Sequence, residues 1–279
     1  MSDQRITITE VSSGGSGRGV SYYLNAAACP RKARLDAELV EAGPRPLYPD
    51  SAATIGTLFH KLCEVYYGQK TRDIVLELDD LRLRGDIAEA YRLFAGYTKV
   101  FACDEWEVIS TEELVPRDEV DADAIRVSFG VELTARLDLV VRVREEDIPR
   151  LIRTRPGLEG IEPGVYLVDH KTQGARGSQD AMKYGMSAQF VAYQMMWNLL
   201  HPEEPCSGMI ANIVVKHKKL DANSFYSLLV PSPTIEQRVG LTCWLQWADG
   251  QSKTDVANWG NCFNWEPCSH FTNGRCARV

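Results

Sequence analysis

The chain has 279 residues, of which 44% are hydrophobic and 25% charged, a composition typical of folded globular proteins. Its net charge of −7 argues against a protein that coats nucleic acid by bulk electrostatics, although local basic patches still suit phosphate binding. The sequence has no apolar run of the roughly 20 residues that span a bilayer and no apolar signal-peptide core. We therefore expect a cytoplasmic protein with no membrane partner.

The N-terminal part of the chain predicts helices. Its Gly/Ser-rich segment at 12–19 is expected to be a flexible lead-in. Three later segments have helical apolar spacing: 21–40, 51–67 and 86–105. The first of these helices carries Cys29, and on the second His60 and Glu64 lie one turn apart.

The middle of the chain changes to the period of strands. Apolar runs predict these strands: 107–115, 125–131, 132–143 and 165–171. The first three are expected to be antiparallel neighbours, and the proline-containing stretch 144–164 is expected to be a long connection. The remaining predicted elements are a helix at 187–200, a strand at 208–216, its hairpin partner at 224–230 and a helix at 233–249.

Two of the predicted strands carry charged residues in or after apolar runs. Asp138 lies within such a run, and Asp169 and Lys171 end another. A buried carboxylate is costly unless a cation or hydrogen bonds hold it, and residues two apart on a strand face the same side. Two carboxylates around a hard cation, with a lysine beside them, suit phosphodiester hydrolysis. An ion pair of Asp138 with Arg136 and a chance Asp-x-Lys are the structural alternatives.

Four motifs in order resemble those of the RecB-like branch of the PD-(D/E)xK nucleases. They are GxxxH at 56–60, Asp138 on a strand, (D/E)xK at 169–171 and QxxxY at 189–193. Leu137 stands where the family pattern has proline, a position that varies in the superfamily. The resemblance spans about residues 20–276 and implies an α/β fold with a restriction-endonuclease-like core, in which helices flank a mixed central sheet.

The resemblance also implies a role for each motif residue. The implied ligands of a Mg²⁺ or Mn²⁺ ion are His60, Asp138, Asp169 and the backbone carbonyl of His170. The implied catalytic residues are Asp138, Asp169 and Lys171. Substrate binding, or support of the lysine, is assigned to Gln189 and Tyr193, whose structural alternative is to flank an apolar helix face. Glu64 is a further candidate ligand for the same or a second metal.

Eight cysteines in a chain without an export signal indicate metal or cluster ligation rather than disulfides. Four lie in apolar or helical segments and are expected to be buried small hydrophobes: Cys63, Cys103, Cys206 and Cys243. The other four resemble those of iron–sulfur RecB-like nucleases, such as AddB-type subunits, CRISPR-adaptation nucleases and eukaryotic exonuclease V: Cys29, Cys262, Cys268 and Cys276. The resemblance implies a [4Fe–4S] cluster, with Zn²⁺ as the alternative occupant.

The sequence thus predicts a nuclease core at 51–232 and a helical iron–sulfur subdomain formed by both chain ends, 20–50 and 233–279, after a lead-in at 1–19. The expected function is that of a metal-dependent deoxyribonuclease, an exonuclease acting on single strands or DNA ends in recombination, repair, CRISPR adaptation or phage DNA processing. Recombination, helicase or CRISPR-adaptation proteins are the expected partners. The alternatives are a non-catalytic DNA-end-binding adaptor with the same fold and a zinc-stabilised protein with a coincidental Asp-x-Lys.

Overall fold

The computed structural model of the chain describes residues 4–7, 19–28, 51–72, 74–77, 81–103, 105–177 and 179–252. Two short strands pair in parallel outside the central sheet: β1 (Gln4–Thr7) and β2 (Ile74–Glu77). The central sheet has five strands: β3 (Glu107–Val115), β4 (Ala135–Val143), β5 (Gly164–Gln173), β6 (Cys206–Val215) and β7 (Phe225–Pro231). Their order across the sheet follows their order in the chain.

The described helices are α1 (Val20–Ala28), α2 (Ala52–Gln69), α3 (Arg84–Val100), α4 (Glu119–Phe129), α5 (Ile148–Thr154), α6 (Asp180–Gly185), α7 (Ala188–Leu200) and α8 (Ile235–Ser252). Serines cap two of them: the side chains of Ser51 and Ser187 accept hydrogen bonds from backbone N–H groups in the first turns of α2 and α7. In the part of the chain that the structure describes, no helix combines the length and apolar character needed to cross a membrane.

The sheet is mixed, because β5 and β6 run parallel while the other neighbouring pairs run antiparallel. Pairing of β4 with β5 ends at Leu139 and Val168, whereas pairing of β5 with β6 continues through Gln173. The last residues of β5 are therefore bonded to a neighbouring strand on one side only. This opening between β4 and β5 lies where Asp138 and Asp169 stand.

Helices cover both faces of the sheet. One apolar cluster joins α1, α4, α7 and α8 to one face, and the other joins α2 and α3 to the opposite face. Along β4, Leu137 packs into the first cluster and Leu139 into the second, on opposite faces of the sheet. Residues two apart on a regular strand lie on the same face, so the strand is irregular at Asp138. The predicted α/β fold, a mixed central sheet flanked by helices, is confirmed.

The predicted strand at 125–131 is wrong, because these residues belong to α4 and the turn after it. Asp118 caps the start of α4 by accepting a hydrogen bond from Asp121 N, and Gly130 ends the helix in the left-handed conformation at φ 71°. Ile125 and Phe129, one turn apart, are buried while Val127 is 86% exposed. The local alternation of apolar residues resembled a strand, but the two capping residues define a helix.

Two further expectations need correction. The predicted connection 144–164 contains the short helix α5, which has a proline in its first turn. Among the cysteines expected to be buried, Cys63 and Cys206 are buried and Cys103 is half-buried, but Cys243 is exposed. The four predicted cluster ligands lie outside the described residues: Cys29, Cys262, Cys268 and Cys276.

Candidate metal centre

The opening between β4 and β5 brings together residues from three elements. Asp138 comes from β4, Asp169 from β5 and His60 from α2, which runs close to the end of β5 at Gly56 and Thr172. Because β4 has left β5 at this point, the N–H of His170 has no strand partner on that side. It donates instead to Oδ2 of Asp138 over 2.8 Å, which satisfies the backbone and orients the carboxylate.

His60 and Asp138 form an ion pair at the mouth of the opening. Nδ1 of His60 lies 3.3 Å from Oδ2 of Asp138, and the histidine side chain is 30% exposed. Burial lowers the pKa of His60, but the adjacent carboxylate outweighs it and raises that pKa to about 9. Burial likewise opposes ionisation of Asp138, and the neighbouring imidazolium nevertheless holds the pKa of this carboxyl well below its usual range.

Asp169 and Lys171 form the second charged pair, on the same side of β5. Nζ of the lysine lies 2.9 Å from one carboxylate oxygen and 3.1 Å from the other. Burial raises the pKa of Asp169 to about 6 against the opposing effect of the lysine. Burial also lowers the pKa of Lys171, but Asp169 and Asp138 outweigh it and raise that pKa above its ordinary value.

The chemistry of these groups fits a divalent cation. Oδ2 of Asp169 is buried, and apart from the lysine ammonium 2.9 Å away it has no hydrogen-bond partner among the residues that the structure describes. A carboxylate oxygen has lone pairs for more than one partner, so this buried oxygen can still bind a metal cation beside the lysine. Carboxylate oxygens with one imidazole nitrogen are ligands suited to Mg²⁺ or Mn²⁺.

Glu112 is a candidate ligand that sequence reasoning missed. On β3 it lies between residues paired with Leu139 and Leu137, hence opposite Asp138. Ligand atoms of His60, Glu112 and Asp138 all lie within 4.8 Å of one another. Burial, and then the charge of Asp138, raises the pKa of Glu112 to about 7. Arg136, considered above as a partner of Asp138, pairs with Glu112 instead over 3.6 Å.

The backbone at Glu112 is unusual for a strand. Its φ is 48°, in the left-handed region that side chains other than glycine rarely adopt. Two like charges opposite each other across strands also destabilise a sheet. Strain and charge repulsion at one position are features that cluster at binding sites.

The other predicted site residues lie around this centre. Gln189 donates to the hydroxyl of Tyr193 over 2.9 Å, and burial followed by the charge of Asp169 raises the pKa of Tyr193. Glu64 lies outside the converging group, and its carboxylate binds Lys61 at 2.6 Å. The ring of His170 is buried away from solvent, and burial lowers its pKa to about 3. Within a strand residue N–H and C=O point to the same side, so the carbonyl of His170 is directed towards the side of Asp138.

A groove leads from Lys171 along the surface. Its cavity of about 510 Å³ is lined by residues of α1, β5, α6 and α7, including Lys171, Lys183, Tyr184 and Gln189. The two lysines place positive charge in its wall, which also contains the apolar side chains of Leu24 and Met186. The groove therefore combines the chemistry of phosphate binding with an apolar surface.

Fold and site together define an α/β protein with a candidate divalent-cation centre beside a lysine. The family model described as the PD-(D/E)XK nuclease superfamily matches residues 20–153, just under half of the chain. The matched segment includes α2 with His60 and β4 with Asp138, and it ends before Asp169 and Lys171. No curated protein matches the chain.

Proposed function

We propose that the chain is a metal-dependent nuclease that hydrolyses phosphodiester bonds in DNA. The observation that carries this proposal is the convergence of Asp138, Asp169 and Lys171 at the opening between β4 and β5, with His60 3.3 Å from Asp138. The match of residues 20–153 to a nuclease superfamily supports the same class of reaction.

Each residue has a distinct role in this proposal. His60, Asp138, Asp169 and the carbonyl of His170 would hold Mg²⁺ or Mn²⁺, which when bound polarises the scissile phosphate and acidifies a water molecule. Lys171, kept cationic by Asp169, stabilises the negative charge that develops on the phosphate. The mouth of the opening is partly exposed at His60, so a phosphate can reach these groups from solvent.

We assign the groove beside Lys171 to the DNA strand that enters the centre. A positive wall with an apolar surface suits a single strand, whose backbone is attracted electrostatically. Gln189, in the wall of the groove, and Tyr193 would contact this strand or support the lysine. On this basis we propose exonuclease action on single strands or DNA ends; recombination, repair, CRISPR adaptation or phage DNA processing is the setting proposed from the sequence resemblance.

The test is incubation of end-labelled DNA, single- and double-stranded, linear and circular, with and without Mn²⁺. Mn²⁺-dependent degradation of linear but not circular DNA is the expected result. Cleavage of circular DNA would replace the exonuclease with an endonuclease. Binding of DNA ends without cleavage in Mn²⁺ would favour the alternative, a non-catalytic adaptor with a nuclease fold.

We further propose that Glu112 is a ligand of the same cation. Glu112→Gln keeps the shape of the side chain but removes its charge, so we expect Mn²⁺ affinity, measured by titration calorimetry, to fall at least about tenfold. Glu113→Gln is the matched control, because Glu113 is the next residue and binds Ser110 and Arg117 rather than the centre. Equal Mn²⁺ affinity of the two variants would remove Glu112 from the ligand set.

We also propose that Cys29, Cys262, Cys268 and Cys276 hold a [4Fe–4S] cluster. Two described elements support this: α1 ends one residue before Cys29, and it packs against α8, which leads to the C-terminal cysteines. A cluster there would close a loop of more than two hundred residues. By analogy with the loop entropy of a disulfide, that closure is worth about 4–5 kcal/mol.

Anaerobically purified protein is accordingly expected to be brown, with a broad visible absorbance that bleaches on reduction. Each Cys→Ala change among the four ligands is expected to remove the colour and to lower the midpoint of thermal unfolding. The controls are Cys63→Ala and Cys103→Ala, which are expected to keep the colour. Cys63 is buried and Cys103 is half-buried. Colourless protein with stoichiometric zinc would indicate a Cys₄ zinc site, and colour that survives Cys29→Ala would place the fourth ligand elsewhere.

A further inference from the structure

A buried arginine lies beneath the candidate metal centre. Arg155 is 0% exposed, and its guanidinium binds the carboxylate of Glu105 at 2.5 Å. The same group lies over the ring of Trp106 at 3.9 Å and over that of Phe101 at 4.6 Å. An arginine has only hydrogen-bond donors and does not lose its charge in proteins. It therefore determines the direction of every hydrogen bond that starts from it.

The first branch of the network runs through Asn212. Nη1 of Arg155 donates to Oδ1 of Asn212 over 3.3 Å, and Oγ of Ser227 donates to the same oxygen over 2.7 Å. With its oxygen so occupied, the amide must present its nitrogen on the other side. Nδ2 of Asn212 accordingly donates to the hydroxyl of Tyr97 over 3.1 Å.

The second branch runs through Tyr67. Its hydroxyl interacts electrostatically with the cationic Arg155, which favours the oxygen as an acceptor on that side, and it lies 2.8 Å from the hydroxyl of Tyr97, to which it can direct its own proton. The Tyr97 oxygen then accepts from both Asn212 and Tyr67. Its single proton is left for Nδ1 of His170, 3.2 Å away. All these side chains are buried, so bulk water does not compete for the bonds.

The network ends at the part of β5 that forms the centre. His170 stands between Asp169 and Lys171, and its N–H binds Asp138. We infer that Tyr97 is a positioning residue for the metal centre, because its O–H holds the His170 ring and thereby the backbone that orients the two aspartates. This inference rests on the proposed function, since it assumes that a cation binds there.

Tyr97→Phe tests the inference with little change in packing, since the ring contacts with Phe59 and Phe101 remain. We expect Mn²⁺ affinity and kcat to fall about 10–100-fold, the usual effect of losing a group that orients metal ligands, while KM for DNA stays unchanged. Tyr66→Phe is the matched control. Its hydroxyl is also buried and bonds Phe101 O and Cys103 N, each at 3.0 Å, away from the centre. We expect comparable destabilisation but unchanged Mn²⁺ affinity.

A spectroscopic readout separates this inference from the proposed function. In ¹⁵N NMR of metal-free protein, His170 is expected to be the Nε2–H tautomer, and Tyr97→Phe is expected to add the Nδ1–H form. Wild-type protein that binds Mn²⁺ without cleaving DNA would end the nuclease proposal. The inference about Tyr97 would still be tested by the Mn²⁺ affinity of Tyr97→Phe. Unchanged affinity and tautomer in Tyr97→Phe would overturn it. If that variant does not fold, Tyr67→Phe gives a second test, because the Tyr97 proton then has His170 as its remaining partner in this network. The Nε2–H tautomer of His170 should persist in Tyr67→Phe, and appearance of the Nδ1–H form there would overturn the inference.

Discussion

Asp138→Asn, Asp169→Asn and Lys171→Met are each expected to lower Mn²⁺-dependent cleavage by about 10³-fold or more, since loss of one preorganised charge-stabilising group alone costs about 10²–10³ in kcat. The first two variants remove a negative charge that would hold the metal ion. The third removes the lysine ammonium that faces the phosphate. The substitutions preserve side-chain size. Asn in place of Asp138 also keeps an oxygen that can accept from the N–H of His170.

Circular dichroism and end-labelled DNA assays check this prediction together, because the variants must remain folded for loss of activity to be informative. Asp123→Asn on α4 and Lys99→Met on α3 are matched controls on exposed helix surfaces, and they are expected to retain full activity. Full cleavage by Asp169→Asn or Lys171→Met, with contaminating nuclease excluded, would end the proposed mechanism.

Without divalent cations, the free energy of unfolding is expected to fall as pH rises from about 7 to 9. The pKa of His60 is about 9 in the folded protein and 6.5 ordinarily, so the folded state keeps a proton that the unfolded chain loses. The stability that this ion pair contributes is complete below about pH 6.5 and is lost as pH rises through the folded pKa. Mn²⁺ competes with the same proton, so the stabilisation by Mn²⁺ is expected to increase over this range.

Urea unfolding at pH 7, 8 and 9 measures both effects, with and without Mn²⁺. His60→Gln is expected to flatten the dependence on pH, because the titrating partner of Asp138 is absent. His217→Gln, on the exposed segment after β6, is the control and should retain the dependence. A pH dependence that is the same in His60→Gln as in the wild-type protein would show that it has another source.

The parts of the site that the sequence predicts are those with a local signal. Asp138 interrupts an apolar strand, and Asp169 and Lys171 close another, so each pattern contains both the element and the residue it positions. The strand prediction at 125–131 failed for the opposite reason. Over so short a run, the spacing of apolar residues expected for a helix is similar to that expected for a strand. The capping residues Asp118 and Gly130 at the two ends indicate the helix.

Other features depend on pairing between distant segments and have no local signal. Glu112 approaches the centre only through the register of β3 with β4, and nothing in its own neighbourhood distinguishes it from Glu113. Arg155 follows α5 in a stretch that reads as an exposed connection, yet its guanidinium is buried against Glu105. A charged residue in a predicted loop gives no indication that it will lie beneath a metal centre.

The one-sided pairing of β5 determines which parts of the centre can adapt to ions of different size. Asp169 and Lys171 are carried on backbone that remains bonded to the buried strand β6, and backbone of that kind opens least readily. Glu112 belongs to the edge strand β3, whose pairing is irregular near Val108, and His60 belongs to a helix rather than to the sheet. A small ion such as Mg²⁺, which requires shorter bonds than larger divalent ions, would be accommodated by movement of α2 and β3 towards a stationary β5.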